Sequence, residues 1–131
     1  MRMTNSARNC LIGILVAGWL LAPMRLAAAP APGLPESERR IIERLIAAVE
    51  QLPDAAFIRN GRSYDAAVAV RFLRGKWRAR KLKVRSAEDF IEQVASRSST
   101  TGRTYRIRFA DGRETELAQF FHTLLRRIRA E

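Results

Sequence analysis

From residue 11 to its last residue the sequence contains no cysteine. The lone Cys10 lies within an N-terminal apolar stretch, so no disulfide and no thiolate metal ligand can staple the rest of the chain. Whatever folds must be held by buried apolar side chains, and their spacing is the guide to how. The N-terminal stretch has three parts. Arg2 and Arg8 are positive, Leu11 to Ala22 is an apolar run of twelve residues, and Ala27-Ala28-Ala29 supplies small side chains. This is the pattern of a secretory signal peptide cut near Ala29. The run is shorter than the ~20 apolar residues of a membrane-spanning helix, and Arg25 closes it. The chain is therefore expected to be periplasmic or secreted, with no membrane span after cleavage. Residues 1–29 are read as signal, 30–35 (PAPGLP) as a proline-rich linker and 36–131 as one domain.

The spacing of apolar residues after the linker predicts an α+β domain, about four helices packed on a small antiparallel sheet. Ile41, Ile42, Leu45, Val49 and Leu52 recur at helical steps between Glu36 and the Pro53-Asp54 stop. Phe57 and Ile58 favour a strand, and Asn60-Gly61 accepts the positive φ angles of a tight hairpin turn, so a short strand, a turn and a return strand are expected. Asp65 is placed to cap a second helix with Ala66, Ala69, Val70, Leu73 and Trp77 inward. That helix is expected to fray before Leu82. Ser86 caps a third, with Phe90, Ile91, Val94 and Ala95 inward. Thr104 to Phe109 alternates, with Tyr105, Ile107 and Phe109 on one face and Arg106 and Arg108 on the other, as in a half-buried strand. Asp111-Gly112 turns the chain into a last helix with Leu117, Phe120, Phe121, Leu124, Leu125 and Ile128 on one side.

The stretch RFLRGKWRARKLKVR, Arg71 to Arg85, holds eight basic side chains and no acid. On a continued helix, Arg71, Arg74, Arg78, Lys81 and Arg85 form one ridge, widened by Lys76, Arg80 and Lys83. An ordinary solvated face mixes signs, and arginine grips phosphate or carboxylate with two hydrogen bonds. The ridge is read as an anion-binding candidate, against the plainer reading of a face that keeps the protein soluble. Removing residues 1–29 takes three arginines and no acids from 24 basic and 13 acidic side chains, and the remaining net charge is +8. Such a charge favours anionic partners. For an exported chain these are lipopolysaccharide, phospholipid, acidic glycans or another exported protein. Nucleic acid is set aside: there is no zinc spacing, no helix-turn-helix stands out, and export removes the partner.

Catalytic chemistry finds little to stand on. His122 is the only histidine and sits beside the apolar stripe of the last helix. Ser96, Ser98 and Ser99 have no obvious base, and activation of a hydroxyl needs one within hydrogen-bond reach. No metal constellation or cofactor motif stands out, and the chain is read as a non-enzyme. The loop SRSSTTGR, Ser96 to Arg103, is either an anion cradle of hydroxyls and amides, with Arg97 and Arg103, or a capped turn entering the strand.

Four motifs carry a family resemblance: FIRNG (Phe57 to Gly61) with Tyr64 after it, FLRGKW (Phe72 to Trp77), AEDFIEQVASRSS (Ala87 to Ser99), and G-x-x-Y-x-I-x-F-x-DG (Gly102 to Gly112). In that order and spacing the chain resembles the YfeK-like family, small exported bacterial proteins with a domain of unknown function. The resemblance covers roughly residues 36 to 125 and implies export, with no reaction or ligand to carry over. This chain has Phe72 where relatives often have histidine, which removes an imidazole from any shared site, and Phe120 and Phe121 where tryptophan is frequent. Turns and core explain most of the shared positions. Arg59, Asn60, Ser96, Ser98, Gly102 and Tyr105 are left as candidates for one polar pocket, formed if the FIRNG turn lies beside the serine-rich loop. The leading expectation is a binding module for an anionic envelope component or exported protein. A hydrolase of an envelope polymer acting through the loop, and an adaptor or inhibitor of another exported protein, are the alternatives.

Overall fold

The computed structural model describes residues 33–131. The expected signal peptide and the start of the expected linker lie outside the described residues. Four helices and a four-stranded antiparallel sheet share one core, as the α+β expectation required. The sheet order is β2-β1-β3-β4, where β1 is Ala56–Arg59, β2 Arg62–Tyr64, β3 Arg106–Arg108 and β4 Glu114–Glu116. The β1–β2 turn has φ of 50° at Asn60 and 77° at Gly61, the left-handed pair that a two-residue hairpin demands. Phe57 pairs with Tyr64 on one side and Ile107 on the other, which puts these three on the face turned to the helices. The opposite face carries Arg106 and Arg108, both paired with Glu114 across the β3–β4 ladder.

Helix α1 (Glu36–Glu50) buries Ile42, Leu45, Ile46 and Val49. Helix α2 (Ala66–Ala79) starts where Asp65 accepts a hydrogen bond from the Val68 amide at 2.8 Å. It buries Ala66, Ala69, Val70 and Leu73. Helix α3 (Ala87–Phe90) is capped by Ser86, whose hydroxyl accepts from the Asp89 amide at 3.0 Å. It then widens into a π-helical turn over Ile91–Ala95, where an ordinary helix was expected. The Ser96 hydroxyl donates to the Ile91 carbonyl at 2.7 Å, five residues back, at the end of this wider turn. Ile91, Val94 and Ala95 are all fully buried. Helix α4 (Leu117–Arg129) closes the core with Leu117, Phe121, Leu125 and Ile128. Phe90 is the aromatic hub, 5.6 Å from the Trp77 ring and 6.1 Å from that of Phe121. Glu38 of α1 accepts from the Ala87 amide at 2.7 Å and from Arg129 at 3.2 Å, tying three helices at one corner.

Two expectations are corrected. Strand β4 was not foreseen: Glu114 and Glu116 look like a helix start, but their pairing with β3 holds them extended, and α4 begins only at Leu117. The basic ridge is not continuous on one helix. Helix α2 ends at Ala79, so Arg71, Arg74 and Arg78 lie on it and Lys81 and Arg85 fall in the turns beyond it. Like charges at helical spacing with no acid to offset them weaken a final turn. Val84, 1% exposed, enters the core after the turns that follow α2.

Candidate functional site

At 100° per residue, α2 presents two flanks beside its buried stripe. Arg74 and Arg78 lie on the flank toward α1. Phe72, Lys76 and the C-terminal Arg80 lie on the flank toward the loop that joins α3 to β3. The first flank is partly neutralised, because Arg74 donates to Glu43 of α1 at 2.8 Å. Arg71, Arg78, Lys81 and Arg85 make no ion pair among the described residues, and Arg71, Lys81 and Arg85 are exposed.

The second flank differs. Lys76 Nζ donates to the Arg97 carbonyl at 2.6 Å and to the Tyr105 hydroxyl at 3.1 Å, and it stands 4.7 Å from the Tyr105 ring centroid. The Arg59 guanidinium lies over the Phe72 ring at 4.3 Å. Its Nε is buried and, among the described residues, has no hydrogen-bond partner. Phe72 meets Tyr105 edge to face at 5.4 Å. Arg80 donates to Ser99 Oγ at 2.8 Å and reaches Gln93 Oε1 at 3.5 Å. Three cationic side chains thus gather around two aromatic rings and one loop, and no carboxylate pairs with any of them among the described residues. The electrostatic cost is visible in Lys76. Burial, then the positive charges of Arg80 and Arg59, bring its pKa down to about 8 from the usual 10.5. Burial pushes the Tyr105 phenol up, opposed by the charge of Arg59.

The serine-rich loop braces this cluster. Ser98 is 2% exposed, and its hydroxyl accepts from the amides of Thr100 and Thr101, each at 3.3 Å, and from Asn60 Nδ2 at 3.4 Å. Thr101 Oγ1 donates to Asn60 Oδ1 at 2.6 Å. The FIRNG turn and the loop therefore lie side by side. The Gly102 amide donates to the Ser98 carbonyl at 2.9 Å, and Gly102 itself has a φ of 72°. The loop amides are used within the loop, so its geometry is that of the capped turn and not of the amide cradle. Of the candidates, Arg59 and Tyr105 reach the cluster directly, Asn60 and Ser98 hold turn and loop together, Ser96 closes the π turn, and Gly102 shapes the loop. In the sequence alone, Lys76 and Arg80 only widen the ridge. Their helical position beside Phe72 was legible, but the fold of the loop against them was not. Beneath the cluster, a narrow apolar cavity of about 40 Å³ between Phe57, Phe72, Leu73 and Leu117 has room for little more than a water. His122 is exposed on α4.

The family of unknown function (DUF5329) matches residues 36–129, nearly all of the described chain. The chain belongs to this family. It is also 38% identical over 68 residues to the uncharacterized protein YfeK of Salmonella typhimurium, an alignment that spans 52% of this chain and 57% of the relative. The chain thus matches little more than half the length of that relative. No solved structure matches. The resemblance to a YfeK-like family of unknown function therefore holds, and it brings no ligand with it. Among the described residues, no helix is long and apolar enough to cross a membrane, and no group of three or more metal-binding side chains is found.

Proposed function

We propose that this chain is an exported, non-catalytic binding module that takes the phosphate or carboxylate of an anionic envelope component at the Arg59–Lys76–Arg80 cluster. Lipopolysaccharide and acidic glycans carry such groups. The observation that carries this reading is the missing counter-charge. Three cations are held together, one with an unpartnered buried nitrogen and one with its pKa drawn down, and no described acid offsets them. An incoming anion supplies that offset and gives Arg59 an acceptor. The small cavity underneath favours recognition of a charged group over that of a long apolar tail. The non-catalytic part of the reading is supported by Ser98, whose hydroxyl is buried and already accepts three hydrogen bonds.

Titration of the purified protein with sulfate, followed by calorimetry or by amide shifts, tests this. Sulfate is chosen because it does not titrate near neutral pH. Binding is expected to fall about tenfold in Arg59→Gln and in Lys76→Met, the loss of one charge-assisted hydrogen bond. Arg71→Gln on the other side of α2 is expected to change it little. Lipopolysaccharide and peptidoglycan fragments would then compete with sulfate. Absence of sulfate binding, or equal loss in all three variants, overturns the reading.

A further inference from the structure

The loop after α2 carries Leu82, 82% exposed and the one large hydrophobic residue so exposed among the described residues. A single exposed leucine by itself means little. This one stands at a turn between the exposed Lys81 and Lys83. It also borders a groove of about 480 Å³ whose apolar lining is Leu34, Trp77 and Leu82. Around those three stand Arg39, Arg74, Arg78 and Lys81, against the single acid Glu43. Glu43 is spent on Arg74, and Arg39 lies 3.5 Å from Glu36 on the exposed face of α1. Arg78, Lys81, Lys83 and Arg85 remain without an ion pair among the described residues.

We propose that this face docks on an anionic phospholipid bilayer, with Leu82 entering the head-group region beside Trp77 and with Arg78, Lys81, Lys83 and Arg85 against lipid phosphates. The choice of occupant rests on charge and shape together. The projecting apolar tip is one side chain between two lysines, which suits insertion into a soft interface. A protein partner would need a matched pocket and a broader apolar contact. Lys81 and Lys83 flank the tip along the chain and Arg78 lines the same groove, which suits a continuous negative surface. Each such side chain near an anionic bilayer strengthens attachment by about fivefold. The groove beside Leu82 is lined by Arg39 and Glu43 of α1 and shares no residue with the Arg59–Lys76–Arg80 cluster. It also gives the exposed basic residues after Ala79 a role that the broken ridge does not.

The test is co-sedimentation of the purified protein with phosphatidylcholine vesicles with and without phosphatidylglycerol, at low and high salt. Binding is expected only with phosphatidylglycerol, and is expected to weaken with salt. Leu82→Ser should reduce it about tenfold, the loss of one buried leucine side chain, and Lys81→Glu with Lys83→Glu should abolish it. Both variants should keep the sulfate affinity of the parent. Lys76→Met should weaken sulfate binding about tenfold and keep vesicles. Vesicle binding that survives the Leu82 and lysine changes, or that is lost with Lys76→Met instead, places attachment elsewhere and overturns the proposal. So does absence of binding to phosphatidylglycerol vesicles. Failure of sulfate binding alone would overturn the anion-cluster reading and leave this one standing.

Discussion

The pKa of about 8 at Lys76 makes a prediction with two opposite signs. An unfolded chain holds its lysine proton to the usual 10.5. Between about pH 8 and that value the unfolded state therefore binds more protons than the folded one, and stability rises with pH across the window. Taken whole, the gap corresponds to about 3 kcal/mol. Lys76 keeps contact with solvent, and screening reduces the expected gain to about 1 kcal/mol. Anion binding moves the other way. The ammonium that costs stability in the empty protein is one that attracts the ligand, and it is lost as pH rises past 8. Sulfate affinity is expected to fall about tenfold between about pH 7 and pH 9, about 1.4 kcal/mol. Calorimetric titration with sulfate and urea unfolding, both across that range and below the ordinary tyrosine pKa, read the two effects separately. Lys76→Arg keeps the charge at all these pH values and should flatten both profiles; Lys76→Met should be flat with weak binding. The reasoning fails if the parent's affinity does not change with pH, or if Lys76→Arg follows the parent.

Two stability changes test how the site is built. Ser98→Val removes the acceptor shared by two loop amides and Asn60, and is expected to cost about 1–3 kcal/mol in urea unfolding. It should also weaken sulfate binding, since the loop that places Lys76 and Arg80 loosens; intact stability would mean the loop is not braced this way. Phe90→Ala empties the hub between Trp77 and Phe121 and is expected to cost about 3–5 kcal/mol with an unchanged denaturant slope. A loss below about 1 kcal/mol would contradict the buried position of that ring.

Much of the fold was legible in residue spacing. Asp65 and Ser86 have short side chains whose oxygens reach amides two or three residues on, so both caps could be read from the sequence and both are found. Asn60-Gly61 was readable for the same reason, because few residue pairs accept two positive φ angles in succession. What escaped reading depends on contacts distant in sequence. Strand β4 exists because β3 pairs with it, and its Glu-Thr-Glu sequence has no strand signal of its own. The π turn sits where Ile91, Val94 and Ala95 are all fully buried, and the Ser96 hydroxyl bonds back to its first carbonyl. The end of α2 at Ala79 falls inside a run of like charges, and the chain then turns before Val84 enters the core. The site shares this limit. Arg59 and Tyr105 stood out because turns and core gave weak reasons for them, whereas Lys76 and Arg80 were hidden in a run of like charges. Only the placement of residues 96–103 distinguishes them from their neighbours.

That distinction changes how the basic stretch is understood. Read as one ridge, Arg71 to Arg85 would be a single surface with a single role. A helix cannot present residues 76 and 78 to the same side, however, since they lie about 200° apart. The buried stripe of α2 therefore divides the charges into two groups with different surroundings. Toward the loop they are crowded, partly desolvated and short of counter-charge, which favours a compact anion held at a fixed place. Toward α1 and beyond Arg80 they are more open to solvent and lie near Leu82 along the chain, which favours a broad and yielding negative surface. One acid-free run in the sequence thus supplies two kinds of anion recognition. A substitution on one flank should leave the chemistry of the other in place, because the stripe between them is packed core from Ala66 to Leu73.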